Sequence, residues 1–74
     1  MLEERHEQAQ LTARERQVLA WVARGKTNAE IARLLGLAPS TVGKHLENVY
    51  AKLGVSSRTA AMARFLGLID TEAF

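Results

Sequence analysis

Thr27-Asn28-Ala29-Glu30-Ile31-Ala32-Arg33-Leu34-Leu35-Gly36-Leu37-Ala38-Pro39-Ser40-Thr41-Val42 holds a helix start, a stop and a second start. Thr27 followed three residues later by Glu30 is a capping box, in which each side chain satisfies the other residue's free backbone N–H. Ile31, Ala32, Leu34 and Leu35 supply the buried face of a short helix of about two turns. Gly36 ends it, because glycine takes the left-handed conformation that a helix C-terminus needs. Proline is tolerated at a first helical position, where the N–H has no partner anyway. A longer helix therefore starts at Pro39 and runs to about Leu53. Its apolar residues Val42, Leu46, Val49, Tyr50 and Leu53 form one stripe of helical period, and Gly54 stops it. A short helix, a three-residue turn and a longer helix make a helix-turn-helix.

Outward from this pair the pattern stays helical. Leu11 precedes a second capping box, Thr12-Ala13-Arg14-Glu15. Val18, Leu19 and Val22 follow at helical spacing, and Gly25 is the stop. Trp21 is expected in core or partial-surface packing. Downstream, Ser56 and Ser57 can cap a fourth helix from about Arg58 to Leu66, with Ala61, Phe65 and Leu68 on one face. Strand-like alternation is absent. The expectation is an all-α, four-helix helix-turn-helix domain over residues 11–69, with a polar leader or linker remnant at 1–10 and a tail at 70–74. A chain of 74 residues is one small domain. At that size only about 60% of the unfolded chain's surface is buried, so stability is marginal.

The absence of cysteine excludes disulfides and cysteine-based metal sites. No apolar run approaches the roughly 20 residues of a membrane span, and Met1-Leu2-Glu3-Glu4-Arg5 is too acidic for a signal peptide. The expected setting is a reducing cytoplasm, with no cofactor and no membrane.

The net charge of +2 conceals a basic middle. Between residues 24 and 64, Arg24, Lys26, Arg33, Lys44, Lys52, Arg58 and Arg64 face only Glu30 and Glu47, while the ends of the chain are acidic. Such a module suits a polyanion. With the apolar stripe of helix 39–53 turned inward, the opposite face presents Ser40, Lys44, Glu47, Asn48 and Ala51, flanked by Thr41 and Gly43. Lysine can donate to guanine, asparagine can pair with adenine, and glutamate can accept from the cytosine amino group. Gly43 and Ala51 would let the helix approach a groove floor closely. Lys26, Thr27 and Asn28 sit where the free N–H groups of a helix start favour anions. Lys52 and Arg58 lie at the far end. Thr27 is equally explained as a helix cap, and Lys52 as an ordinary solvated lysine near a helix C-terminus.

Taken together, Leu11-Thr12-x-Arg14-Glu15-x-x-Val18-Leu19, Gly25-Lys26-Thr27-Asn28-x-Glu30-Ile31-Ala32, Thr41-Val42-x-Lys44-His45-Leu46 and Lys52-Leu53-Gly54-Val55-x-x-Arg58 resemble the LuxR/GerE family of DNA-binding domains. Several ordered blocks over about residues 11–69 make this more specific than a lone helix-turn-helix. The resemblance implies bacterial transcription regulation, duplex DNA as partner and dimerisation through the last helix. It also implies that Glu15 and Arg58 are structural as much as functional. Family members usually carry a receiver, as in response regulators, or a ligand-sensing domain ahead of this one. The chain departs from the family's pattern at Ala38, where a Ser, Thr or Asn cap is common, and at Gly43 and Glu47.

His45 has no cysteine, second histidine or nucleophile–carboxylate set nearby, so catalysis and metal binding are not expected, and the resemblance favours a phosphate or packing role. Met62, Ala63 and Leu66 form a second apolar side of the last helix, more than a four-helix core needs, and are the expected dimer contact. Three classes compete: a sequence-specific regulator, DNA-binding region four of a sigma factor, and a protein-interaction module with no DNA role. RNA polymerase is a further candidate partner. An enzyme is not expected.

Overall fold

The computed structural model describes residues 11–67. It contains α1 (Ala13–Ala23), α2 (Asn28–Leu35), α3 (Pro39–Leu53) and α4 (Arg58–Leu66), and no strand among the described residues. The leader 1–10, Leu68 and the tail 70–74 lie outside the described residues.

The helices begin where their caps dictate. The Thr12 hydroxyl accepts from the Glu15 N–H at 3.0 Å, and Glu15 Oε1 accepts from the Thr12 N–H at 2.9 Å. Thr27 and Glu30 repeat the box at 3.1 and 2.8 Å. Ser57 alone caps α4, its hydroxyl accepting from the Ala60 N–H. α3 starts on Ala38 with no side-chain cap and Pro39 at its first turn. An alanine cap costs about 1 kcal/mol relative to serine. Between α2 and α3, Gly36 adopts φ 70°. That conformation turns the chain so that the Leu37 N–H reaches back to the Ala32 carbonyl at 2.8 Å.

The core is built from the stripes of all four helices. Val18, Leu19 and Val22 of α1, Ile31 and Ala32 of α2, Val42, Leu46, Val49 and Leu53 of α3, Ala61 of α4 and the preceding Leu11 are buried. Trp21, Leu35, Tyr50, Met62 and Phe65 are partly buried and pack against them. Arg24 lies over the Trp21 ring, 5.1 Å from its centroid. One apolar expectation fails: Leu34 is 51% exposed. Ile31, Ala32 and Leu35 share one side of α2, and Leu34 is turned about 100° from Leu35 by the helical period. The effect of this packing is to hold α2 across one end of α3 and to leave α3's outer face uncovered.

Candidate nucleic-acid interface

α3 is two-faced. Val42, Leu46, Val49 and Leu53 are buried, whereas Ser40, Thr41, Lys44, Glu47, Asn48 and Ala51 are exposed. Gly43 and His45 are half-buried on its flanks. A helix anchored along one stripe and presenting short polar side chains on the other has the shape that a major groove admits. The structure thus brings seven of the site residues read from the sequence onto the outer side and edges of one helix, those from Ser40 to Asn48.

The remaining five are bound into the fold. Thr27 is the cap of α2, and its partner Glu30 has its carboxyl held below the ordinary range, chiefly by the hydrogen bond from the Thr27 backbone N–H. Asn28 is the first residue of α2 and half-buried. The Arg58 guanidinium, at the start of α4, donates to Asn28 Oδ1 at 2.8 Å and to the Lys26 carbonyl. One side chain therefore ties α4 to the loop before α2, across 30 positions of sequence. Lys26 itself is half-buried beside this tie. Together with Val22, Gly25, Thr59 and Met62, these residues line an open groove of about 400 Å³ between the α2 start and α4.

Lys52, read from the sequence as a phosphate-side residue or equally as an ordinary solvated lysine, is not the latter. Its Nζ stands 2.8 Å from Glu15 Oε1. The Glu15 side chain is 5% exposed and that of Lys52 is 32% exposed. Burial by itself would raise the Glu15 pKa; the hydrogen bond and charge of Lys52 and the Thr12 bonds outweigh it and hold the carboxyl below its ordinary value. The reader-side helix is thereby fixed to α1. Arg64, which the sequence reading did not single out, donates to the Leu53 carbonyl at 3.1 Å and so caps the end of α3 from α4. These ties share no local signal, because their partners lie 37 and 11 positions apart.

Gly43 has a different character from the turn glycines. Its backbone is not left-handed, and a β-carbon built there would meet only Asn28 Nδ2, at 4.0 Å. A glycine inside a helix gives up roughly 0.5–1 kcal/mol relative to alanine. On α4, Leu66 is 52% exposed, while Met62 and Ala63 are half-buried. Met62 divides its surface between the core and the outside. No helix among the described residues is long and apolar enough to cross a membrane.

Comparison with known proteins gives this geometry a family. Residues 9–65 match the family described as bacterial regulatory proteins, luxR family. The chain is 55% identical over 62 residues to a probable transcriptional regulatory protein, SgaR, of Hyphomicrobium methylovorum, covering 84% of this chain and 29% of that protein. It is 46% identical over 61 residues to the transcriptional activator protein AnoR of Acinetobacter nosocomialis, with 80% and 26% covered. It is 48% identical over 62 residues to the HTH-type quorum sensing-dependent transcriptional regulator VjbR of Brucella abortus, with 81% and 24% covered. The chain spans under a third of the length of each of these relatives. The matched family is one of transcriptional regulators, not of enzymes. The chain belongs to the luxR family of bacterial regulatory proteins, as the helix-turn-helix DNA-binding domain of a transcriptional regulator.

Proposed function

We propose that the chain binds a specific sequence of duplex DNA with α3 in the major groove, and that two copies engage an inverted-repeat site. The observation that carries this reading is the division of α3: one stripe is wholly buried, and the other exposes Ser40, Lys44, Glu47, Asn48 and Ala51. Lys44 and Asn48 supply donors for base edges. Glu47 selects against sites that do not meet it with a cytosine amino group. Thr41, Gly43 and His45 lie at the edges of the docked helix. Lys26, Thr27, Asn28, Lys52 and Arg58 border the phosphates, where they position the reader and carry no sequence information.

The test is a comparison of two lysines on a duplex selected from a random pool. Lys44→Ala is expected to weaken binding to the preferred site by about 1–3 kcal/mol and to relax preference at one base pair. Lys26→Ala is expected to weaken all duplexes about equally and to reduce the salt slope of log K by about one. Uniform losses for both variants would remove Lys44 from the reading set. Binding that ignores salt altogether would point to a protein-interaction module instead.

The dimer is assigned to α4. Met62, Ala63 and Leu66 lie to one side of Ala61 on α4, Met62 also packs against the core, and Leu66 is the most exposed of the three. A two-fold pair would set the reader helices about 34–36 Å apart, one turn of duplex. Leu66→Lys is expected to abolish cooperative binding to a paired site while half-site affinity and helix content stay as they are. Cooperativity that survives this change would locate the dimer elsewhere. A protein of this kind works at the bacterial nucleoid in the cytoplasm. As an activator, it would also contact RNA polymerase.

A further inference from the structure

Among the described residues, nothing asks for glycine at position 43. The backbone there is not left-handed, and outside the adjoining turns of α3 the nearest described atom to a β-carbon is Asn28 Nδ2, at 4.0 Å. An alanine would fit the helix and favour it. What the bare position borders is one oriented carboxamide. The Arg58 guanidinium carries only donors, so the Asn28 oxygen must face it, as it does at 2.8 Å. The amide nitrogen is therefore left on the α3 side, against Gly43. No hydrogen bond engages that nitrogen among the described residues, and Asn28 is half-buried, so the donors remain accessible.

We propose that Gly43 keeps open the approach of a DNA strand to Asn28, whose Nδ2 donates to a phosphate oxygen over the uncovered backbone of α3, with Arg58 holding the amide in that orientation. The proposal rests on the reading that α3 enters the groove. A phosphate oxygen must stand about 2.9 Å from the nitrogen to bond it. A β-carbon 4.0 Å from the same nitrogen would narrow the approach of an oxygen that comes over α3 and leave other directions open. The absent side chain thus serves the ligand and not the fold.

The experiment uses the whole chain as Gly43→Ala, Asn28→Ala and the double variant. Melting is followed by circular dichroism and binding by anisotropy, on a selected duplex and on an unrelated one. Gly43→Ala is expected to raise Tm by roughly 2–8 °C. It should also weaken binding about tenfold on both duplexes, since a bond to a charged phosphate is lost and no base is misread. In the Asn28→Ala background, Gly43→Ala should change affinity by less than about twofold, because the contact it obstructs is already gone. A Gly43→Ala protein that melts higher and binds as tightly as the parent overturns the proposal. So do a lower Tm, or losses that add in the double variant. If the parent chain binds no duplex under any salt condition, the groove reading itself fails and takes the proposal with it; the rise in Tm on Gly43→Ala does not depend on that reading.

Discussion

Lys52→Met is expected to destabilise the protein by about 2–3 kcal/mol at neutral pH, roughly 10–20 °C in Tm, and to lose much of that penalty as the solution is acidified. Glu15 is 4% exposed, and Lys52 supplies its opposite charge at 2.8 Å. Removing the lysine leaves a buried carboxylate with the Thr12 bonds alone, and uncompensated buried charge is among the costliest single defects. The loss falls at the lower end of its range because Lys52 is 32% exposed and water reaches its end of the pair. A domain of this size has only about 3–5 kcal/mol to lose.

The pH dependence separates this mechanism from simple loss of packing. In the parent protein, the Glu15 pKa is held below the ordinary value of 4.5. The stabilisation it brings is fully present above that ordinary value and disappears as pH falls through the lower, folded value. In Lys52→Met both effects of the lysine are gone, the Thr12 bonds stay, and burial, the largest single effect on this carboxyl, is expected to push it upward. A raised carboxyl gains stability as pH falls through its folded value, because the folded state then binds the proton more tightly than the unfolded one. Between neutrality and pH 4.5 the Glu15 contribution to Tm should therefore stay flat in the parent and rise with acidification in Lys52→Met, the two profiles converging towards pH 4.5. A gap between them that stays constant over this window would mean that Lys52 contributes only its methylene contacts.

What could be read in the sequence divides along the distance over which each interaction acts. Thr12 with Glu15, Thr27 with Glu30, Gly36 and Pro39 act within one helical turn, and the observed ends of α1, α2 and α3 lie where these residues put them. The outer face of α3 was legible for a similar reason, since a single stripe of period 3.6 specifies its opposite. Leu34 was misread because hydrophobicity alone does not say how wide a two-turn helix's covered face is. Lys52 read as a phosphate-side or solvated lysine, and Arg64 only as part of the basic middle. Their partners, Glu15 and the Leu53 carbonyl, become neighbours only when four helices close on one core. Arg58 was flagged as structural through the family resemblance and not through any local pattern, whereas Glu15 was legible both in the resemblance and in its capping box. The resemblance is also what made Gly43 conspicuous, and only the empty space around its β-carbon position turns that departure into an argument.

Arg58→Ala is expected to lower stability by about 2–3 kcal/mol and to weaken binding to every duplex alike. The guanidinium donates to both Asn28 Oδ1 and the Lys26 carbonyl, so truncation frees two acceptors and lets the loop before α2 part from α4. Bonds to a charged donor are worth about 1.5–3 kcal/mol each, and water entering this half-buried site returns part of that. Two roles in DNA binding remain to be separated. If Arg58 meets a phosphate directly, its charge is what matters: Arg58→Lys retains most of the affinity, and Arg58→Ala reduces the salt slope by about 0.9. If Arg58 acts by positioning Lys26 and Asn28, its fork is what matters. A lysine ammonium is a point donor that cannot span two acceptors in the guanidinium's fixed geometry. Arg58→Lys would then lose nearly as much affinity and Tm as Arg58→Ala, with the salt slope unchanged in both. The structure favours this second outcome, because each terminal nitrogen of Arg58 already has one N–H engaged inside the protein. Full binding by Arg58→Lys at a temperature where it is folded would assign the residue to the phosphate instead.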